Sequence, residues 1–245
     1  VRNERKIVLP QHGAWEVALL ISGITRVIST NQEFLNLLKT SNPQYTGWPI
    51  WIVTSGSADQ TRNPYVYHGS WEEFIYIDQS NPRHSYRAHN SLLGFIRLNP
   101  QGYFYERRAL QEDMRNDPDA DPPLTILDFV LPVIRTAEAI AVGVAFAKTM
   151  DCSPTNAKLS FAFRWTGLRG RHLVSWVKQD RPLYPKGPAH QDDVTSFVDV
   201  PMDTPLSAIG GFVAQVVRPL FEIFDGFSLS NSVIEELTRE ILERR

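Results

Sequence analysis

The sequence predicts an α+β fold, in which a mainly antiparallel sheet packs against a long central helix and two C-terminal helices. Strand patterns follow one another without the regular alternation with helices that would indicate a parallel sheet. A β-hairpin signal lies near the middle of the chain, and two helical patterns close it. Together these observations predict an antiparallel sheet with helices packed on it.

The first part of the chain predicts two strands and a short helix. Residues 6–10 and 15–22 are rich in β-branched and apolar types, which is typical of strands. Residues 31–39 follow a helical spacing, with Asn31 as a suitable N-cap residue. Turn signals fill residues 41–63, and 71–78 is the next predicted strand.

A β-hairpin over residues 93–110 is the clearest local signal. Its turn is Asn99-Pro-Gln-Gly102. Asn at the first position, Pro at the second and Gly at the fourth suit a type I turn, with Gly in the left-handed bulge position. The sequence therefore pairs 93–98 with 103–110 as antiparallel neighbours.

The most apolar segment predicts a central helix from Thr125 to about Met150, with Thr125 as its cap. Charged residues within it, such as Asp128 and Glu138, favour a buried core helix over a membrane span. Its small residues Ala139, Gly143 and Ala147 mark a strip that another element can approach closely. Three strands are then predicted over 158–165, 172–178 and 193–200, and two helices over 206–224 and 230–245.

Length and composition limit the kinds of protein that this chain can be. The chain has 245 residues, 42% hydrophobic, which is enough to build a core without disulfides or metals. We expect residues 1–245 to form a single domain, with 1–90 as a subdomain beside a main core over 91–245 as the alternative. The start at Val1 suggests a fragment of a longer protein. The single cysteine, Cys152, favours a reducing compartment, the cytoplasm, and is predicted to be a buried thiol.

No complete catalytic, metal-binding or nucleotide-binding motif is present. Gly210-Gly211 follows no phosphate-binding loop, and His84 and His89 are five residues apart with no third ligand. The sequence therefore predicts no metal, no cofactor and no catalytic residue.

The most distinctive string is Arg164-Trp-Thr-Gly-Leu-Arg-Gly-Arg171, which gathers three arginines and a tryptophan around a turn. Guanidinium groups bind carboxylates and phosphates in a bidentate manner. We therefore predict a binding site for an anionic small ligand or an acidic partner at Arg164, Trp165, Arg169 and Arg171. The structural alternative is that Arg164 forms an ion pair with Glu138 of the central helix.

Two other clusters define alternative functions. His190 with Asp192 and Asp193 is the best polar group for acid–base chemistry in a hydrolase or nuclease, although solvated loop charge explains it more simply. The second predicted hairpin strand has an aromatic and basic pattern that would suit base stacking in a nucleic-acid-binding module. Its residues are Tyr103, Phe104, Tyr105, Arg107 and Arg108. The net charge of −2 gives no support to nucleic-acid binding.

Four strings resemble the C-terminal region of bacterial proteins that carry an N-terminal Schlafen-like AlbA-type domain, a type of domain associated with DNA binding or ATP binding. They are Gly47-Trp-Pro, Gly102-Tyr-Phe-Tyr with Arg108-Ala-Leu-Gln-Glu-Asp113, the Arg164–Arg171 string, and Pro219-Leu-Phe-Glu-Ile-Phe-Asp-Gly-Phe227. The resemblance covers most of the chain and transfers no functional residue. It implies an accessory sensor or assembly module in regulation or phage defence.

The leading hypothesis is therefore a non-enzymatic accessory domain for ligand sensing or protein–protein interaction. Its expected partners are other domains of the same protein or separate proteins, and a homo-oligomer is compatible with the sequence. A membrane is not expected as a partner.

Overall fold

The computed structural model describes residues 11–28, 32–46, 50–51, 64–77, 92–115, 117–152 and 157–243. The α+β prediction is confirmed: within these described residues, four α-helices accompany a seven-stranded antiparallel sheet. The strand predicted over 6–10, the Gly47-Trp-Pro string, and His84 and His89 lie outside the described residues.

The strands are β1 (Ala14–Ile21), β2 (Tyr65–Tyr67), β3 (Ser70–Ile77), β4 (Leu92–Leu98), β5 (Tyr103–Ala109), β6 (Ile126–Asp128), β7 (Lys158–Thr166), β8 (His172–Val174) and β9 (Asp193–Pro201). The helices are α1 (Gln32–Ser41), α2 (Val130–Thr149), α3 (Ile209–Glu222) and α4 (Asn231–Leu242).

The large sheet has the strand order β2-β3-β4-β5-β1-β7-β9, and every neighbouring pair is antiparallel. β1 lies between β5 and β7, so the first described strand is near the middle of the sheet. Along β1 the odd-numbered side chains from Trp15 to Ile21 are buried, whereas Glu16, Ala18 and Leu20 point to the other face. This period of two is what an antiparallel sheet with one covered face requires.

The predicted hairpin is confirmed as β4 and β5. The Gly102 amide donates to the Asn99 carbonyl over 2.9 Å, and the φ angle of Gly102 is 89°. A Cβ atom at this position would lie 2.5 Å from the Ile21 carbonyl oxygen. Glycine is therefore needed both for the backbone angle and for the close approach of β1.

The prediction that Thr125 caps the central helix is wrong. Helix α2 begins at Val130, after the short strand β6, which pairs in parallel with β8. The Thr125 hydroxyl donates instead to the Pro122 carbonyl over 2.6 Å. Asp128 does the capping, since its Oδ1 accepts from the amides of Val130 and Leu131 at 2.8 and 3.0 Å.

Helix α2 forms the centre of the core. It contacts α1, α3, α4, β1 and β7, and its side chains are buried nearly all round. By length and composition this helix could cross a membrane, but 78% of its most apolar window is buried inside the fold. A Cβ atom at Gly143 would lie 2.7 Å from Cζ of Phe161 and 3.0 Å from Cδ2 of Leu19. The predicted small-residue strip therefore lets α2 lie close to β1 and β7.

We expect Gly143→Ala to lower the free energy of unfolding by about 1–3 kcal/mol, because the added methyl group overlaps Phe161 and Leu19. Gly211→Ala is the matched control. Gly211 is also helical but has no neighbouring atom within 4 Å of a Cβ, so alanine there should stabilise by up to about 1 kcal/mol. Urea denaturation of both variants measures the difference. Equal effects of the two changes would contradict close packing at Gly143.

Candidate functional site

The four residues predicted to form one binding site lie in different environments. Trp165 is fully buried and stacks on Phe163, with 6.3 Å between ring centroids. Arg171 is also fully buried, whereas Arg169 is exposed in the turn and Arg164 is exposed on the opposite face of β7 from Trp165. The Arg164–Arg171 string therefore does not converge on one ligand.

Arg171 holds the fold together through a buried ion pair with Asp113. Its guanidinium binds both carboxylate oxygens, with Nη1 at 2.9 Å from Oδ1, and its Nε donates to the Gly167 carbonyl over 2.6 Å. The same carboxylate accepts from the amides of Gly13 and Leu124 at 2.6 and 2.7 Å. Every oxygen of this buried carboxylate is thus satisfied. Sequence reasoning did not identify Asp113 as the partner of Arg171.

Arg164 pairs with Asp193 on the neighbouring strand, at 3.4 Å between Nη2 and Oδ2. The ion pair with Glu138 that was the structural alternative is wrong, because Glu138 lies on the helical side of the sheet. There it accepts from the Thr46 hydroxyl over 2.8 Å and pairs with Arg135 over 3.2 Å. Burial raises the pKa of Glu138, and the nearby Arg135 opposes that effect.

The acid–base cluster is not enclosed. His190, Asp192 and Asp193 are all exposed, and none of them lines a described pocket. Within the described residues, no group of three histidine, cysteine or acidic side chains is placed to hold a metal ion. The structure thus brings Asp193 to Arg164 and leaves the other two residues in solvent.

One face of the large sheet is open to solvent, and several predicted residues meet on it. Helices α2 and α3 pack on the other face. Following the strand pairing, the central cross-strand row of this open sheet face reads Arg97, Tyr105, Ala18, Ala162 and Phe197. The adjacent row on one side contains Tyr103, Leu20, Ser160 and Asp199, and the row on the other side contains Arg107, Glu16, Arg164 and Thr195.

Apolar side chains are exposed on this open sheet face. The exposed fraction is 70% for Phe197, 58% for Tyr103 and 41% for Leu20. Between Tyr105 and Phe197 the floor consists of Ala18 and Ala162, and these four residues line a shallow trough. A cluster of exposed aromatic side chains around a trough is typical of an interaction surface.

The charged residues of the open sheet face are paired with one another. The pairs are Arg97 with Glu72 (3.4 Å), Arg107 with Glu16 (2.6 Å), Lys158 with Asp199 (2.7 Å) and Arg164 with Asp193 (3.4 Å). Tyr105 joins this network by donating its hydroxyl to Oε2 of Glu16 over 2.9 Å. Burial and this hydrogen bond raise the pKa of Tyr105 to about 12, so the phenol stays protonated. The face is therefore nearly neutral.

A buried acidic side chain lies on the helical side of the sheet. Glu112 accepts the Asp128 amide on Oε1 over 2.7 Å, but among the described residues its Oε2 has no hydrogen-bond partner. Burial raises the pKa of Glu112 to about 7, and hydrogen bonds from backbone amides only partly oppose that effect. Nε1 of Trp15 is likewise buried and without a partner in the described part of the chain.

Glu112 and Trp15 line the same narrow pocket, which we name the Glu112 pocket. Its cavity volume is about 50 Å³, and most of its wall is apolar. The residues that define it are Trp15, Arg108, Glu112, Leu127, Leu131 and Arg135. Sequence reasoning gave no signal for this pocket, since its walls come from five separate segments of the chain.

No family model matches this chain, and no curated protein or solved structure matches it either. The resemblance to the C-terminal region of Schlafen-like AlbA-type proteins therefore stays a prediction.

We expect Arg171→Ala to lower the free energy of unfolding by about 3–5 kcal/mol, because it leaves the Asp113 carboxylate buried without its cation. The control is Arg169→Ala in the same turn, which should change it by less than about 0.5 kcal/mol because Arg169 is exposed. Chemical denaturation followed by tryptophan fluorescence measures both. A small effect at Arg171 would show that the pair does not support the fold.

Glu112 should make stability depend on pH. Between pH 4.5 and about 7 the unfolded chain loses this proton while the folded chain keeps it, so stability falls as the pH rises. Glu112 accounts for a fall of roughly 3 kcal/mol in the free energy of unfolding, because each unit of pKa difference between the folded and unfolded states corresponds to about 1.4 kcal/mol. The glutamine in the Glu112→Gln variant cannot ionise, so the stability of this variant should not show the part of the pH dependence that comes from Glu112. Urea denaturation of both proteins at about pH 4.5 and about pH 8 tests it. Parallel pH profiles would rule out a raised pKa at Glu112.

Proposed function

We propose that this chain is a non-enzymatic interaction domain that binds an amphipathic helix of a partner protein or partner domain on its open sheet face. The observation that carries the proposal is the trough between Tyr105 and Phe197, which has exposed aromatic side chains beside a floor of alanines. Apolar side chains left in water on a folded domain are stabilised when a partner covers them.

The dimensions of the trough favour a helix as the occupant. Tyr105 and Phe197 lie on β5 and β9, three strand spacings apart, which is about 14 Å across the sheet. A helix with its side chains is about 10–12 Å wide. Small side chains at Ala18 and Ala162 leave room for apolar residues of such a helix to reach the floor.

The charge on the open sheet face favours a protein over a nucleic acid. Surfaces that bind nucleic acids carry an excess of arginine and lysine along the path of the phosphates. On this face Arg97, Arg107, Lys158 and Arg164 are each paired with a carboxylate. Arg164 thus contributes to the rim of the proposed interface, and the nucleic-acid-binding alternative has no basic stripe to support it.

The proposed context is an accessory region of a larger bacterial regulatory or defence protein in the cytoplasm. The resemblance to Schlafen-like AlbA-type proteins and the single cysteine support it. The hydrolase alternative finds little support, because His190, Asp192 and Asp193 are solvent-exposed and line no described pocket.

Site-specific photo-crosslinking tests the proposal. A benzophenone amino acid replaces Tyr103 or Phe197 in the full-length protein in its native cells. Both positions should crosslink to the same protein segment, identified by mass spectrometry. The control position is Tyr184, an aromatic residue that is 88% exposed and lies outside the open sheet face. It is more accessible than the test positions and should not give that adduct.

The outcomes separate the alternatives. An equal adduct from Tyr184, no adduct from the sheet positions, or an adduct removed by nuclease treatment would each overturn the proposal. With the purified partner segment, Phe197→Ala should weaken binding at least about tenfold, as loss of a central aromatic contact does. Tyr184→Ala should leave the affinity unchanged.

A further inference from the structure

We infer that the Glu112 pocket binds a small carboxylate, held by the indole N–H of Trp15 and the guanidinium groups of Arg108 and Arg135. This site lies on the helical side of the sheet and is independent of the open sheet face. The ligand class follows from the polar groups, the charge and the volume of the pocket.

The polar groups without partners point to a ligand that accepts hydrogen bonds. The Trp15 indole can only donate. Glu112 donates from its second oxygen when it is protonated, and it already accepts the Asp128 amide on the first. A buried polar atom without a partner costs free energy that a matching ligand atom removes. Two donors lining one pocket therefore favour a carboxylate or a carbonyl group.

The charge distribution selects the carboxylate. Arg108 and Arg135 both line the pocket, and burial together with repulsion by Arg108 lowers the pKa of Arg135. Each guanidinium also has a carboxylate partner, Glu106 for Arg108 and Glu138 for Arg135. A ligand that reaches both guanidiniums makes charge-assisted hydrogen bonds with them, and those to a carboxylate are stronger than those to a neutral carbonyl.

The volume restricts the ligand to a short chain. The cavity of about 50 Å³ accommodates roughly three to five water-sized groups at about 10–15 Å³ each. Its apolar walls, among them Leu127 and Leu131, suit a short alkyl tail. Propionate has both the head group and the tail, and it is the probe of choice.

Nuclear magnetic resonance of the six tryptophan indole N–H groups tests this site directly. Titration with sodium propionate should shift the Trp15 resonance, assigned with Trp15→Phe, with a dissociation constant of about 1 mM or below. The internal control is Trp176, whose ring lies 4.7 Å from the Arg115 guanidinium and which does not line the pocket. Its resonance should not move, and sodium chloride at the same concentration should leave Trp15 unchanged.

One neutral and one cationic analogue of propionate test the chemistry of the head group. Propionamide should bind at least about tenfold more weakly than propionate, because it lacks the charge that the guanidiniums recognise. Propylammonium should not shift Trp15 at all. Equal binding of propionamide would overturn the anionic assignment. No shift with any of the three compounds up to about 50 mM would mean that the pocket holds only water.

Two variants keep the test independent of folding defects. Leu131→Phe adds a ring to the pocket without touching its charges and should abolish the propionate-induced shift of Trp15, while the Trp176 resonance stays in place. Glu112→Gln keeps a donor but cannot ionise. Wild-type affinity should fall about tenfold between pH 6 and pH 8, since ionised Glu112 repels the anion, and the variant should show no such fall.

The charged groups that act on Glu112 are Asp128 and Arg171. Arg108 and Arg135 line the same pocket. Asp128 and Arg171 are unchanged in the Glu112→Gln variant, so a difference between the two pH profiles reports Glu112 alone. An identical fall in both proteins would overturn the role assigned to Glu112.

Discussion

The buried ion pair of Arg171 with Asp113 is the contact on which the rest of the structure depends. It joins the chain before β1, the turn after β7 and the segment before β6, because the Asp113 carboxylate also accepts the amides of Gly13 and Leu124. A buried ion pair is stabilising only when its remaining hydrogen bonds are made, and here they are. The pair therefore specifies how distant segments meet, and it gives a structural role to Arg171, the last residue of the most distinctive string of the sequence.

A second buried carboxylate extends this arrangement. Asp128 receives the first two amides of α2 on one oxygen and the amides of Trp176 and Val177 on the other. It thereby fixes the start of the central helix against the chain that follows β8. Glu112, next to Asp113 in the chain, accepts the Asp128 amide on one oxygen, and among the described residues its other oxygen has no hydrogen-bond partner. The same packing that stabilises the fold thus leaves Glu112 in the wall of the pocket that we propose as a ligand site.

Strand β1 separates the two proposed sites. Its buried side carries Trp15 into the Glu112 pocket, and its other side places Ala18 in the trough of the open sheet face. Alternation of side chains along a strand makes this division unavoidable, because neighbouring residues point to opposite faces. One face of the sheet is covered by helices and holds the buried charges. The opposite face keeps apolar side chains in solvent and neutralises its own charges in pairs.

The sequence by itself determined the elements that local interactions specify: the Asn99–Gly102 turn, the alternation in β7 and β9, and the close approach at Gly143. These depend on the conformational limits of single residues and on the period of the backbone. Only the tertiary structure decided that Arg171 is buried, that Asp128 rather than Thr125 caps α2, and that Arg164 lies beside Asp193. Arg171 and Arg164 each pair with a residue far away in the chain, and an amino-acid type carries no information about which distant partner will neutralise it. The helix starts after Asp128 because residues 126–128 pair with the distant strand β8 instead of continuing the helix.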